Sequence, residues 1–155
     1  ELETTLRWIR EEIKEAPIDI PLGTMIETPR AALIAEDLAP LVDFMSFGTN
    51  DLTQMTYGFS RDDVEASVIK QYIEMDILQE SPFAQLDALG VGKLVQEAIN
   101  SSRAVNPEIK IGICGEHGGD PSSIRFLVNS GVNYVSCSPP RIPIARLVSA
   151  QESLK

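Results

Sequence analysis

Apolar residues recur at Leu2, Leu6, Ile9 and Ile13, at steps of 4, 3 and 4, which is the stripe of an amphipathic helix. Pro17 ends that stripe. The pattern then changes period. A short apolar run around Thr24–Glu27 reads as a strand and passes at once into a helical segment, with Thr28 as its cap, Pro29 in its first turn and Pro40 at its close. Residues 42–47, VDFMSF, form a second strand. The same grammar returns at Ile109–Cys114, a strand followed by a Gly-rich loop and a helix capped by Asp120, with Pro121 first and Gly131 as its stop. Tyr134–Cys137 gives a fourth strand before a last helix from about Ile142. Strand then helix, four times over, predicts an α/β fold of parallel strands joined by right-handed crossovers.

Spacing adds scale. Polar residues close the predicted strands at Glu27, Asp51, Cys114 and Cys137, separated by 24, 63 and 23 residues. A unit of a (β/α)8 barrel averages about 30 residues. Two intervals fit one unit each, and the middle one carries an insertion, residues 58–90, before a helix resumes at Val91. Insertions of this length act as lids or partner contacts. Four units make half a barrel or a small open sheet.

Ligands of parallel sheets gather at the C-terminal strand ends, which places Glu27 and Asp51 on one rim. Two carboxylates with open positions suit Mg²⁺, an ion that prefers oxygen ligands and keeps waters or substrate oxygens. Taken singly, Glu27 also favours a helix start and Asp51 a turn. In Gly48-Thr49-Asn50 the glycine admits close backbone approach, successive N–H groups can form an anion nest, and Asn50 can offer its amide to a further oxygen. The same run also serves as a plain strand-to-helix turn. Cys114, in GICGEHGG, is either core packing or a thiol placed to move a proton at carbon. Cys114-x-x-His117 has a zinc-like spacing, but two more soft ligands are needed and Cys137 is the sole candidate, so zinc is not expected. Cys137 reads as packing. Arg141 is the arginine best placed for an anion, with a surface or salt-bridge role as its plainer reading.

Charge narrows the function classes. The formal net charge of −10, from 13 basic and 23 acidic residues, argues against a nucleic-acid surface. It also requires that any phosphorylated ligand find positive charge on a metal or elsewhere. Apolar runs of a few residues predict no membrane span. Two cysteines point to a reducing compartment rather than a disulfide framework. A start at Glu1, without a leader, reads as a piece of a longer chain.

The blocks GTMIETPRAAL, SFGTNDLTQMTYGFSRDD, GICGEHGGDPSS and YVSCSPPRIPIAR follow one another from about Leu22 to the last residues. Together they resemble the C-terminal end of the pyruvate, phosphate dikinases, within the wider PEP-utilising enzymes. Phosphoenolpyruvate synthases and the phosphotransferase-system enzyme share the metal and GTND elements. The TQMTYGFSRDD and GEHGGDPSS wording and the long insertion look more like the dikinases.

The resemblance implies a phosphoenolpyruvate/pyruvate-binding (β/α)8 TIM barrel, of which residues 1–155 are the second half, with residues 58–90 an insertion after its second strand. It implies Mg²⁺ on Glu27 and Asp51, and substrate on Glu27, Gly48, Thr49, Asn50 and Asp51. It implies Cys114 as the group that gives or takes the proton at the methyl/methylene carbon. The parent activity would be a phosphotransferase interconverting ATP, pyruvate and phosphate with AMP, phosphoenolpyruvate and diphosphate. A phosphohistidine domain and an ATP-binding domain of the parent chain would be the partners, with the phosphate-gripping arginines mainly on the missing strands. Alone, the piece is expected to give no net turnover. The compartment would be the cytoplasm, with a plastid kept open. A half-barrel has two open edges, so a homo-oligomer is expected. The rival readings are a synthase-type enzyme, a mainly non-catalytic dimerisation module, and a Mg²⁺-dependent barrel lyase or aldolase.

Overall fold

A computed structural model describes residues 1–155. Four strands, β1 (Gly23–Ile26), β2 (Phe44–Gly48), β3 (Lys110–Cys114) and β4 (Tyr134–Val135), form one parallel sheet in chain order. Helix α1 (Leu2–Ile13) precedes them, and of its predicted stripe only Leu6 is fully buried. After β1 come α2 (Pro29–Leu33), α3 (Ala35–Leu38) and a 3₁₀ turn, Ala39–Leu41. The sequence pattern predicts one helix there. Ile34 breaks it (φ −109°, ψ 23°), yet the buried stripe of Ala32, Ala35 and Ala39 runs on across the break.

After β2 come α4 (Thr49–Tyr57), the insertion helices α5 (Arg61–Val64) and α6 (Val68–Glu74), and α7 (Val91–Val105). A 3₁₀ turn, Glu116–Gly119, and α8 (Pro121–Asn129) follow β3. A further turn, Pro139–Arg141, leads from β4 into α9 (Ile142–Ser153). No helix is long and apolar enough to cross a membrane.

Local chemistry explains the joints. Thr28 Oγ1 accepts the Ala31 N–H at 3.1 Å, and Asp120 Oδ2 accepts the Ser123 N–H at 2.8 Å, each ahead of a proline at the first helical position. Gly131, at φ +88°, takes the left-handed conformation that stops α8. The fourth strand is shorter than Tyr134–Cys137. Ser136 still donates to the Ile113 carbonyl at 2.9 Å, but Pro139 and Pro140 have no N–H with which to continue.

The two faces of the sheet differ. Ile26, Met45, Phe47, Ile111 and Ile113 point into a core shared with α2, α3 and α7. On the other face Met25 is 43% exposed and Tyr134 41% exposed, with Phe44 and Ser46 half-buried. There the Phe44 ring lies across Gly23 and the Tyr134 ring across Gly112, where a methyl group would collide with either ring. Helices cover one face and leave the other open, as the wall of a barrel would be.

Candidate functional site

Strand register builds the site. Ile26 is level with Phe47, and Gly48 with Cys114, so Glu27, Gly48 and Cys114 form a row across the C-terminal ends of three strands. Alternation along each strand sends all three to the open face. The row is tight. A β-carbon on Gly48 would lie 2.8 Å from both Cβ and Oε2 of Glu27 and 3.2 Å from Met25 Sδ. Cys114 Sγ lies 3.7 Å from Met25 Sδ and 3.5 Å from the Phe47 carbonyl oxygen. The Glu27 carboxylate makes no ion pair or hydrogen bond within the chain and stays available to a ligand.

The second half of the site is the start of α4. Asp51 is not a strand end, as its spacing suggested, but sits in the first helical turn, where the helix N-terminus favours a carboxylate. Its Oδ1 accepts a hydrogen bond from Gln54 Nε2 at 3.1 Å, and Gln54 Oε1 accepts the Arg61 N–H at 2.7 Å. Thr49 is fully buried, with its hydroxyl 3.1 Å from the Cys114 carbonyl. Asn50 Oδ1 accepts the Glu116 N–H at 3.4 Å, so its Nδ2 group is left without a partner in the chain. Gly115, at φ +118°, lets the chain turn here, and a β-carbon on it would lie 2.7 Å from Thr49 Oγ1.

Of the six predicted site residues, Glu27, Gly48 and Cys114 thus share one row. Thr49 and Asn50 are tied to the turn that follows Cys114, and Asp51 stands beside them with an exposed carboxylate. For a metal, the chain provides the two carboxylates Glu27 and Asp51, and no group of three or more His, Cys, Asp or Glu converges on one point. The Glu27 carboxylate is unpaired and that of Asp51 accepts one hydrogen bond from Gln54, and oxygen donors of this kind suit a hard cation that completes its shell with water or substrate oxygens.

Arg141 donates to the Gly119 carbonyl at 3.2 Å and lines a cleft of about 260 Å³ beside Gly115 and Glu116. Cys137 packs against Ile124, Ala145 and Val148, away from the row. Two residues escaped the sequence reading, Met25 beside the thiol and Gln54 on the Asp51 carboxylate, and the role of His117, weighed there only as a zinc ligand, was missed. His117 is 0% exposed. Its ring bridges Thr49 Oγ1 (Nδ1, 2.7 Å) and the Pro82 carbonyl (Nε2, 2.9 Å). Gln54 was legible as a helical neighbour of Asp51 three residues on. The partners of His117 lie 35 and 68 residues away, and no local pattern marks them.

The family model described as PEP-utilising enzyme, PEP-binding domain, matches residues 1–154. A chloroplastic pyruvate, phosphate dikinase of Flaveria pringlei is 58% identical over 134 residues, 86% of this chain and 14% of that protein. Pyruvate, phosphate dikinase 2 of Oryza sativa subsp. japonica is 55% identical over 140 residues, 90% of this chain and 16% of its own length. The Clostridium symbiosum dikinase is 52% identical over 149 residues, 94% of this chain and 17% of its own. The chain therefore spans about one-sixth of these relatives. The matched domain is of the TIM-barrel type, in keeping with the four parallel strands and their helices, and a match along all but the last residue means that the chain belongs to the PEP-utilising enzymes.

Proposed function

We propose that the chain is the second half of the phosphoenolpyruvate/pyruvate-binding barrel of a pyruvate, phosphate dikinase, and that its open-face rim binds the three-carbon acid and sets its protonation. The observation that carries this reading is the row of Glu27, Gly48 and Cys114: a free carboxylate, a bare backbone and a thiol on three adjacent strand ends. In this reading residues 1–155 are one unit, with 58–90 inserted in it, and the remaining strands come from the parent chain.

Glu27 and Asp51 hold Mg²⁺, which when bound supplies Lewis-acid stabilisation of developing negative charge on the substrate oxygen. Gly48 and the first N–H groups of α4 take the acid's oxygens, and the Asn50 Nδ2 group donates to one more. When the O–P bond of phosphoenolpyruvate breaks, its electron pair stays on the oxygen and leaves an enolate. The Cys114 S–H then gives its proton to the methylene carbon, forming the methyl of pyruvate and leaving a thiolate. In reverse, the thiolate takes a methyl proton. The phosphoryl group passes to a histidine on another domain of the parent chain. His117, buried between Thr49 and Pro82, has no role in that transfer. The parent is read as a homo-oligomer of the cytoplasm or a plastid.

Exchange of pyruvate methyl protons for deuterium, followed by NMR in the full-length enzyme carrying this segment, tests the assignment. Cys114→Ala should slow exchange by about 10²–10⁴-fold, the usual worth of a positioned acid–base group. Exchange at the parent rate would remove Cys114 from the reaction.

A further inference from the structure

The single histidine of the chain lies outside the proposed chemistry, yet it is fully buried and bonded at both ring nitrogens. Its tautomer follows from its partners. The Pro82 carbonyl can only accept, so Nε2 carries a hydrogen. Burial holds the imidazole below its ordinary pKa, so it is neutral at pH 7 and Nδ1 is a bare acceptor. The Thr49 hydroxyl proton then faces Nδ1 at 2.7 Å and the Cys114 carbonyl at 3.1 Å, and the shorter contact takes it.

The turn that carries the ring has no slack. A β-carbon on Gly118 would strike the Ser136 carbonyl, and one on Gly119 would lie 2.9 Å from Arg141 Cδ. Pro82, at the other end of the bridge, belongs to the insertion and is anchored by its neighbour Phe83, which is fully buried. Gln54, between Arg61 and Asp51, is a second link from the insertion to the same helix start.

We infer that His117 is a positioning residue for the binding cradle, fixing the Thr49 hydroxyl with one ring nitrogen while the 58–90 insertion, through the Pro82 carbonyl, fixes the other. Thr49 opens α4, so its hydroxyl sets where the first N–H groups and the Asp51 carboxylate point. The insertion thereby shapes the site without touching the ligand. The inference rests on the proposed cradle only for the identity of its ligand.

The test uses the 155-residue chain, whose one histidine gives an unambiguous imidazole spectrum. Long-range ¹H–¹⁵N correlation should show the Nε2–H tautomer, and the Nδ1–H tautomer would overturn the bridge. Oxalate with Mg²⁺ is then titrated into wild type, His117→Ala, His117→Asn and His117→Gln, with folding checked by thermal unfolding. Asparagine keeps an acceptor near the place of Nδ1, and glutamine reaches only toward Pro82. The expected result is about tenfold weaker binding in the alanine and glutamine variants, with the asparagine variant recovering most of the loss.

Wild-type affinity in all three, or losses that simply follow unfolding temperature, would overturn the inference and leave the cradle reading intact. If the wild-type chain binds no oxalate, the cradle reading of the isolated chain fails, and the amide resonances decide the inference. Displacement of Thr49–Asp51 resonances in His117→Ala but not in His117→Asn supports it, and unmoved resonances overturn it.

Discussion

Gly48 shows what a single residue contributes to the site. A methyl there would stand 2.8 Å from the Glu27 carboxylate, so Gly48→Ala must push Glu27 or Met25 out of the row. Overpacking of this kind costs about 1–3 kcal/mol. Calorimetry should show Mg²⁺-dependent oxalate binding weakened by at least about tenfold, which is about 1.4 kcal/mol. His117 gives a pH dependence whose sign is fixed. Its folded pKa lies below the ordinary value because burial penalises the charged ring. As pH falls below about 6.5 the unfolded chain takes up a proton that the folded chain refuses, so stability falls through that window. Asp120 and Glu152 behave differently. Burial works against ionisation of Asp120, but hydrogen bonds from Ser122 and Ser123 outweigh it and lower its pKa. Lys155 first, then Asn129 and Arg125, lower that of Glu152. Both stabilise the fold above the ordinary carboxylate range and lose that effect as pH falls through their folded values. Thermal unfolding across pH 7 to 5 should show the histidine limb in wild type and a flatter limb in His117→Asn.

At the scale of elements, joints were easier to read than edges. Thr28-Pro29 and Asp120-Pro121 carry their caps in adjacent residues, and the helices start where the sequence put them. Removing a cap such as Thr28→Ala should cost about 1 kcal/mol, measured by chemical denaturation. The amphipathic stripe of α1 promised four contacts, but Leu6 alone is fully buried, with Leu2 and Ile13 half-buried and Ile9 exposed. Periodicity gives a face, not the extent of the surface it meets. Leu6→Ala should therefore cost about 2–5 kcal/mol and loosen α1 first, visible as lost amide protection over Leu2–Ile13. The rim was legible because strand ends fall at polar residues that follow β-rich runs. Asp51 was misplaced by a few residues, since a Gly-Thr-Asn-Asp run reads alike as a strand end or a helix start. The bridge from Pro82 through His117 to Thr49 was not legible, because it depends on how the insertion folds back. Within the insertion Ile69 is 2% exposed, while Met75, Ile77 and Leu89 of the same segment lie exposed.

For the whole molecule, four β/α units in one sheet leave one face covered by helices and the other open. The open face carries Met25, Phe44 and Tyr134, and β1 and β4 are unpaired on their outer sides. Edges and apolar patches of this kind favour association, and light scattering should report a mass of two or more chains at high concentration. A monomer throughout would count against the oligomer expectation. The net charge of −10 makes a cation the natural companion of any anionic ligand here. In the proposed function Glu27, Asp51 and the Gly48–Asn50 backbone form a Mg²⁺-dependent cradle for an enolate-like acid. Calorimetric titration of oxalate into the chain, with and without Mg²⁺, tests it most directly. Binding should require Mg²⁺ and be lost in Glu27→Gln and Asp51→Asn. Binding that is indifferent to Mg²⁺ and to both substitutions, or no binding with Mg²⁺ present, would contradict it.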